Sequence, residues 1–254
     1  MSPDQRVEPE WTWLGGDGAT IRVAGHSHVY ALRIAMSDLP ERDQRKVAVF
    51  DAAQTANHEV DSYWDALADY SDPFLLMWGG NEHAVVFMLS DEPITIIGPR
   101  GDVPGEPKRV IPYSMVKALW RIWLTPLAQF LQRHPSSQKI TVLGTPPPKP
   151  DAQVREGIAV EPHFVAMLEA RNLTPSDAPV VDAATRVASW DALQECLQEI
   201  AAEADAAFLS APPNIAQPDG TLLPKYCAPD ATHANSAYGL RMWSHILSEY
   251  VLPT

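Results

Sequence analysis

A serine, an aspartate–histidine pair and an asparagine are the residues of this 254-residue chain whose types and spacing suit chemistry. Ser27 stands in I-R-V-A-G-H-S-H-V, residues 21–29, where a short apolar strand meets a glycine and an apolar-periodic helix begins at Val29. A serine between strand end and helix start lies on the carboxyl edge of a sheet, its backbone N–H toward the helix's positive end. That placement suits a nucleophile whose reaction develops an oxyanion; the alternative is a serine that only N-caps the helix. Near the other end, P-D-A-T-H-A-N-S-A-Y-G, residues 229–239, puts Asp230 three residues before His233. One turn of backbone can hold the carboxylate against one ring nitrogen and leave the other facing a hydroxyl, as in the base and orienter of a triad. The third piece is W-G-G-N-E-H, residues 78–83, where a β-like run leads into two glycines and Asn81. An amide at a strand's carboxyl end can donate to an oxyanion.

The elements that must position these groups alternate along the chain. Strands are expected at 21–24, 46–50, 74–77, 138–143 and 206–210, and helices at 29–37, 60–70, 113–134, 155–171, 186–203 and 236–251, with a break near Thr125 imposed by Pro126. Alternation of this kind predicts an α/β fold with a five-stranded parallel sheet between two helical layers. Ligands in such sheets bind outside the carboxyl ends of the strands, where Ser27, Asn81 and the His233 loop all fall. Residues 1–18 read as an N-terminal tail and 19–254 as one domain, with a breaker-rich insertion near 90–112 placed to roof a pocket.

Together, G-H-S near the start, G-G-N-E after the third strand and D-A-T-H near the end resemble the SGNH (GDSL-type) hydrolases in order and separation. The resemblance implies a flavodoxin-like three-layer sandwich and an ester hydrolase needing no metal or organic cofactor. It implies Ser27 as nucleophile, His233 as base, Asp230 as its partner, and Ser27 and Asn81 as oxyanion donors. The chain departs from the family's pattern in three places. His26 replaces the usual aspartate before the serine, His28 the usual leucine after it, and residues 51–58 (D-A-A-Q-T-A-N-H) lack the usual glycine. The backbone N–H of Ala56 or Asn57 is the stand-in for that missing donor. His28, Gly80, His83 and Arg100 are further candidates for touching substrate, a small-molecule, glycan or lipid acyl ester.

Composition narrows the partners. A net charge of −13 argues against nucleic acid and anionic membranes, which need clustered Lys and Arg. No apolar run approaches the roughly 20 residues of a membrane span. The first residues are acidic, without the apolar segment of a secretory signal, so cytoplasmic residence is expected. Cys196 and Cys227 lack metal-ligand spacing; the first reads as buried filler, the second as a spectator or a reactive thiol near the site. A rival reading starts from His26, His28, His58 and His83, which follow the first three expected strands. G-H-S-H and A-N-H-E look like pieces of calcineurin-like metallophosphoesterases, though in reversed order and without that family's carboxylate blocks. A third reading keeps the fold but binds without turnover, or passes the acyl group to an acceptor other than water. The sequence does not choose an oligomeric state.

Overall fold

The computed structural model describes residues 12–16, 18–51, 60–68, 70–78, 86–97 and 109–250. Its centre is a mostly parallel sheet built from β1 (Leu14–Gly15), β2 (Ile21–Gly25), β3 (Val47–Asp51), β4 (Phe74–Met77), β7 (Ile140–Leu143) and β8 (Ala207–Leu209), in the order β1-β3-β2-β4-β7-β8. Five of these strands run parallel. The sixth, β1, lies within the segment read as a tail and pairs antiparallel with Val49 and Ala48 of β3. Among the described residues the sheet therefore has six strands, the five parallel ones and this edge, where five are expected. Two residues carry too little periodicity for β1 to be visible in the sequence.

A separate parallel pair, β5 (Ile94–Ile97) and β6 (Arg109–Pro112), flanks the middle of the insertion region. The I-T-I-I run is apolar enough to form a buried strand. R-V-I-P, with its terminal proline, is largely exposed, as an edge strand allows.

The pleat sorts the strands' side chains onto two faces. Ala24, Phe50, Phe74, Leu76, Ile140 and Val142 face α3 (Val60–Ala68), α4 (Tyr113–Trp123), α5 (Thr125–Arg133) and α8 (Ala183–Glu203). Ile21, Val23, Val47, Val49, Leu75, Met77 and Leu143 face α1 (Val29–Ala35) and α9 (Ser236–Glu249). A smaller cluster beside the sheet joins α6 (Asp151–Val160) and α7 (Pro162–Glu169) to Met88, Ala178 and Ala231.

Local rules explain the ends. Asp182 Oδ1 accepts from Thr185 N at 2.8 Å and starts α8, and Asn235 Oδ1 accepts from Tyr238 N at 3.2 Å and starts α9. The segment 113–134 divides at Leu124, because Pro126 suits the first turn of a new helix. The segment 155–171, expected as one helix, is two, divided where Pro162 opens α7. The proline ring would clash with the preceding turn in an unbroken helix. Between α1 and β3, where no helix is expected, lies a short one, α2 (Glu41–Gln44). Among the described residues no helix is long and apolar enough to cross a membrane.

α1 and α9 cross unusually closely. A Cβ on Gly239 would overlap the carbonyl oxygen of Ala31, and Trp243 Nε1 donates to Leu32 O at 2.9 Å. Gly239→Ala gains about 1 kcal/mol in helix propensity but forces two backbones apart, and overpacking typically costs about 1–3 kcal/mol. The variant is expected to unfold a few degrees below wild type in a thermal melt. An unchanged or raised midpoint would show that the helices do not meet there.

Candidate active site

The parallel strands run in the order second, first, third, fourth, fifth. This is a flavodoxin-like winding, and its topological switch lies between β2 and β4. The turn that follows β2 opens there. Gly25 makes the close approach possible: a Cβ on it would sit 2.6 Å from Met77 O and 2.9 Å from Val29 Cβ. The chain then turns through His26, Ser27 and His28, with Val29 N donating to His26 O at 2.9 Å and Tyr30 N to Ser27 O at 3.3 Å. The cap position of α1 belongs to His28 rather than Ser27, and the His28 side chain makes no cap bond. The capping role weighed for Ser27 therefore lies one residue away from it.

His26 and His28 have different neighbours. The His26 ring packs against Trp78 at 5.2 Å. His28 is buried, and its ring meets that of His233 edge-on at 5.9 Å. The turn bearing Ser27 and the loop bearing His233, some two hundred residues apart, are thereby brought side by side.

The second half of the site is a loop closed on itself. Cys227 and Ala234 form an antiparallel bridge, Ala228 N donates to His233 O at 3.0 Å, and Asn235 N donates to Tyr226 O at 2.9 Å. Asp230 sits at the tip. Its Oδ1 accepts from Thr232 N at 2.8 Å and His233 N at 2.6 Å, while its Oδ2 lies 3.2 Å from His233 Nδ1. One carboxylate oxygen thus holds the backbone turn and the other holds the ring. This is the geometry expected from the three-residue spacing, and it leaves Nε2 as the ring nitrogen not turned to the aspartate. Thr232 Oγ1 is also within 3.3 Å of Nδ1.

Burial pushes the Asp230 carboxyl up, but the hydrogen bonds from the His233 ring and backbone outweigh it. The charges of His233 and Lys149 add to them and hold the carboxyl well below the usual carboxylate range.

The loop is packed from outside as well. A Cβ on Gly157 in α6 would overlap the backbone of Asp230 and Ala231, so only a glycine lets this helix support the loop so closely. Glu161 Oε2 accepts from Ala231 N at 3.3 Å. Lys149 is buried and donates to Ala228 O at 2.8 Å and Asp230 O at 2.5 Å.

Lys149, Gly157 and Glu161 are the site's supports that a motif reading misses. The only hint is a lone lysine in P-P-P-K-P directly after a strand. Cys227 is raised to about 11 by burial, against the attraction of Lys149. It is therefore a protonated spectator at neutral pH rather than a reactive thiolate. Cys196, likewise raised to about 11 mainly by burial, is core filler.

Asn81, Ala56, Asn57, Gly80, His83 and Arg100 lie outside the described residues, as does His58. Among the described residues no cluster of three His, Cys, Asp or Glu is arranged to hold a metal ion.

No protein-family model matches the sequence, and no curated protein matches it either. Solved structures do resemble the fold. A proposed acylhydrolase from Bacteroides fragilis is 11% identical, with a TM-score of 0.46 over 94% of this chain and 89% of its own. Est24, a carbohydrate acetylesterase from Sinorhizobium meliloti, is 13% identical, with a TM-score of 0.43 over 90% of this chain and 96% of its own. A protein from Streptococcus pneumonia described with reference to platelet activating factor is 12% identical, with a TM-score of 0.44 over 90% and 82%. With TM-scores below 0.5, none of these likenesses assigns a fold family or an activity to this chain.

Proposed function

We propose that this chain is a serine esterase of SGNH type, working through an acyl-enzyme. The observation that carries the reading is the Asp230–His233 pair, held by side chain and backbone together and set against the turn bearing Ser27 through the His28 ring. His233 Nε2 takes the proton of the Ser27 hydroxyl as Oγ attacks the ester carbonyl carbon. The tetrahedral oxyanion collapses, the C–O bond to the alcohol breaks, and the imidazolium returns its proton to the departing oxygen. Water then repeats the sequence on the acyl-serine and releases the acid. Asp230 keeps the imidazole in the tautomer whose Nε2 carries no proton. The oxyanion donors are the N–H of Ser27, the amide of Asn81 and the N–H of Ala56 or Asn57, each worth about 10²–10³ in rate. Contact with the acyl or alcohol side of the ester is assigned, on the sequence alone, to His28, Gly80, His83 and Arg100. One domain does this, its sheet edge extended by Leu14–Gly15.

The test is covalent. A fluorophosphonate ester should add once per chain, and the adduct should map to the peptide containing Ser27. Labelling should be lost in His233→Ala, which keeps the hydroxyl but removes its base. An adduct elsewhere, or none under conditions that label a known serine esterase, would overturn the assignment. A panel of acyl esters of rising chain length, acetylated sugars included, then selects the substrate class.

A further inference from the structure

We propose that Lys149 is a positioning residue for the Asp230–His233 pair: its ammonium clamps the pair's loop through two backbone carbonyls and fixes a positive charge beside the aspartate. The inference rests on Asp230 and His233 being orienter and base.

Lys149 is 2% exposed, a rare state for a lysine, whose charge is costly to take out of water. All three of its described partners lie in one short stretch of chain: Ala228 O at 2.8 Å, Asp230 O at 2.5 Å and Asp230 Oδ1 at 3.4 Å. The lysine is itself held from behind. Arg186, equally buried on α8, donates from Nη1 to Lys149 O at 2.6 Å and from Nε to Val181 O at 3.0 Å, and it pairs with Asp151. Prolines 146, 147, 148 and 150 restrict the backbone on either side, and Leu222 N donates to Pro148 O at 2.8 Å. The ammonium therefore reaches the loop from a stiff support, so the entropy lost in placing it is that of the side chain rather than of the backbone.

A neutral donor would serve a purely structural clamp with a smaller desolvation cost. The charge has a different consequence. Facing it are Asp230 and the Cys227 thiol from the loop and Glu161 from the end of α6, with Arg186 behind it on α8, while the His233 ring meets Asp230 on one side and the His28 ring of the Ser27 turn on another. Burial pulls the Lys149 ammonium below its ordinary value while Asp230 and Glu161 oppose that. In return its charge disfavours protonation of the Asp230–His233 pair as a unit. Asp230 then stays ionised beside the ring it orients.

The experiment compares wild type with Lys149→Met, which removes charge and donors, and Lys149→Gln, which keeps a donor without the charge. Proton uptake by the pair is followed by NMR of the His233 ring, and kcat and KM are measured on p-nitrophenyl acetate beside Ser27→Ala. In Lys149→Met the pair should take up its proton about one pH unit higher. Its kcat should fall about 10- to 100-fold, as for a displaced catalytic group, with KM within about twofold. Lys149→Gln should show the same shift in proton uptake with a smaller loss of kcat. A folded variant that titrates as wild type and keeps kcat within about twofold would overturn the proposal. Should Lys149→Met not fold, Lys149→Gln carries the same comparison. A shifted titration together with an ester rate indifferent to Ser27→Ala would leave Lys149 as positioning residue and remove the esterase reading instead.

Discussion

Ser27→Ala is expected to lower kcat on p-nitrophenyl acetate by about 10⁴- to 10⁶-fold while leaving KM within a few-fold and the thermal midpoint near that of wild type. Removing a nucleophile abolishes the covalent route, and what survives is the rate that binding and oxyanion stabilisation lend to water alone. Little structural cost is expected. Ser27 is half-buried in a turn fastened by the backbone bonds of His26, Val29 and Tyr30, and none of these requires its hydroxyl. Steady-state kinetics and a melt on the same preparation check both halves. A variant retaining more than about a tenth of the wild-type rate would remove Ser27 from the mechanism. A variant that is inactive because it is unfolded would show it in the melt.

Asp230→Asn should cost about 10⁴ in kcat with the fold retained, because the asparagine oxygen can still accept from Thr232 N and His233 N while its amide can no longer stabilise the imidazolium. Loss of the charge has a second signature, in stability against pH. The Asp230 carboxyl is held below its unfolded value, so it contributes stability that is fully present above about pH 4. That contribution is lost as pH falls toward the folded value. Wild type should therefore exceed Asp230→Asn in stability at neutral pH, and the gap should narrow as pH drops below about 4. Denaturant unfolding at a series of pH values reads this directly. A gap that widens in acid, or a variant with near wild-type kcat, would mean that the carboxylate does not serve His233.

The layered fold was legible because it rests on patterns short enough to see. Strands β2, β3, β4 and β7 are runs of four or five residues, apolar except at Arg22, Asp51 and Thr141, as suits strands covered on both faces. Their alternation with amphipathic helices leaves few windings open. Pro126 marks the break in the 113–134 segment, whereas Pro162 lies inside a stretch whose apolar periodicity continues across it. The edge strand Leu14–Gly15 was beyond reach, since its pairing depends on β3 offering a free edge rather than on its own residues.

The Asp230–His233 contact was set by sequence spacing alone. Three residues of backbone cannot put the two side chains far apart once the carboxylate has captured the intervening N–H groups. What surrounds that contact was decided by tertiary structure. Lys149 gives no local sign of burial, because a lysine is buried only where distant carbonyls and a carboxylate converge on its ammonium, and those come from residues 228 and 230. Gly157 reads in the sequence as a weak spot in a helix, yet it leaves the space through which the loop's backbone passes. Local spacing determines which groups can meet within one turn of chain. The charge environment of a site is a sum over elements remote in sequence, and only their packing brings them within Coulombic reach.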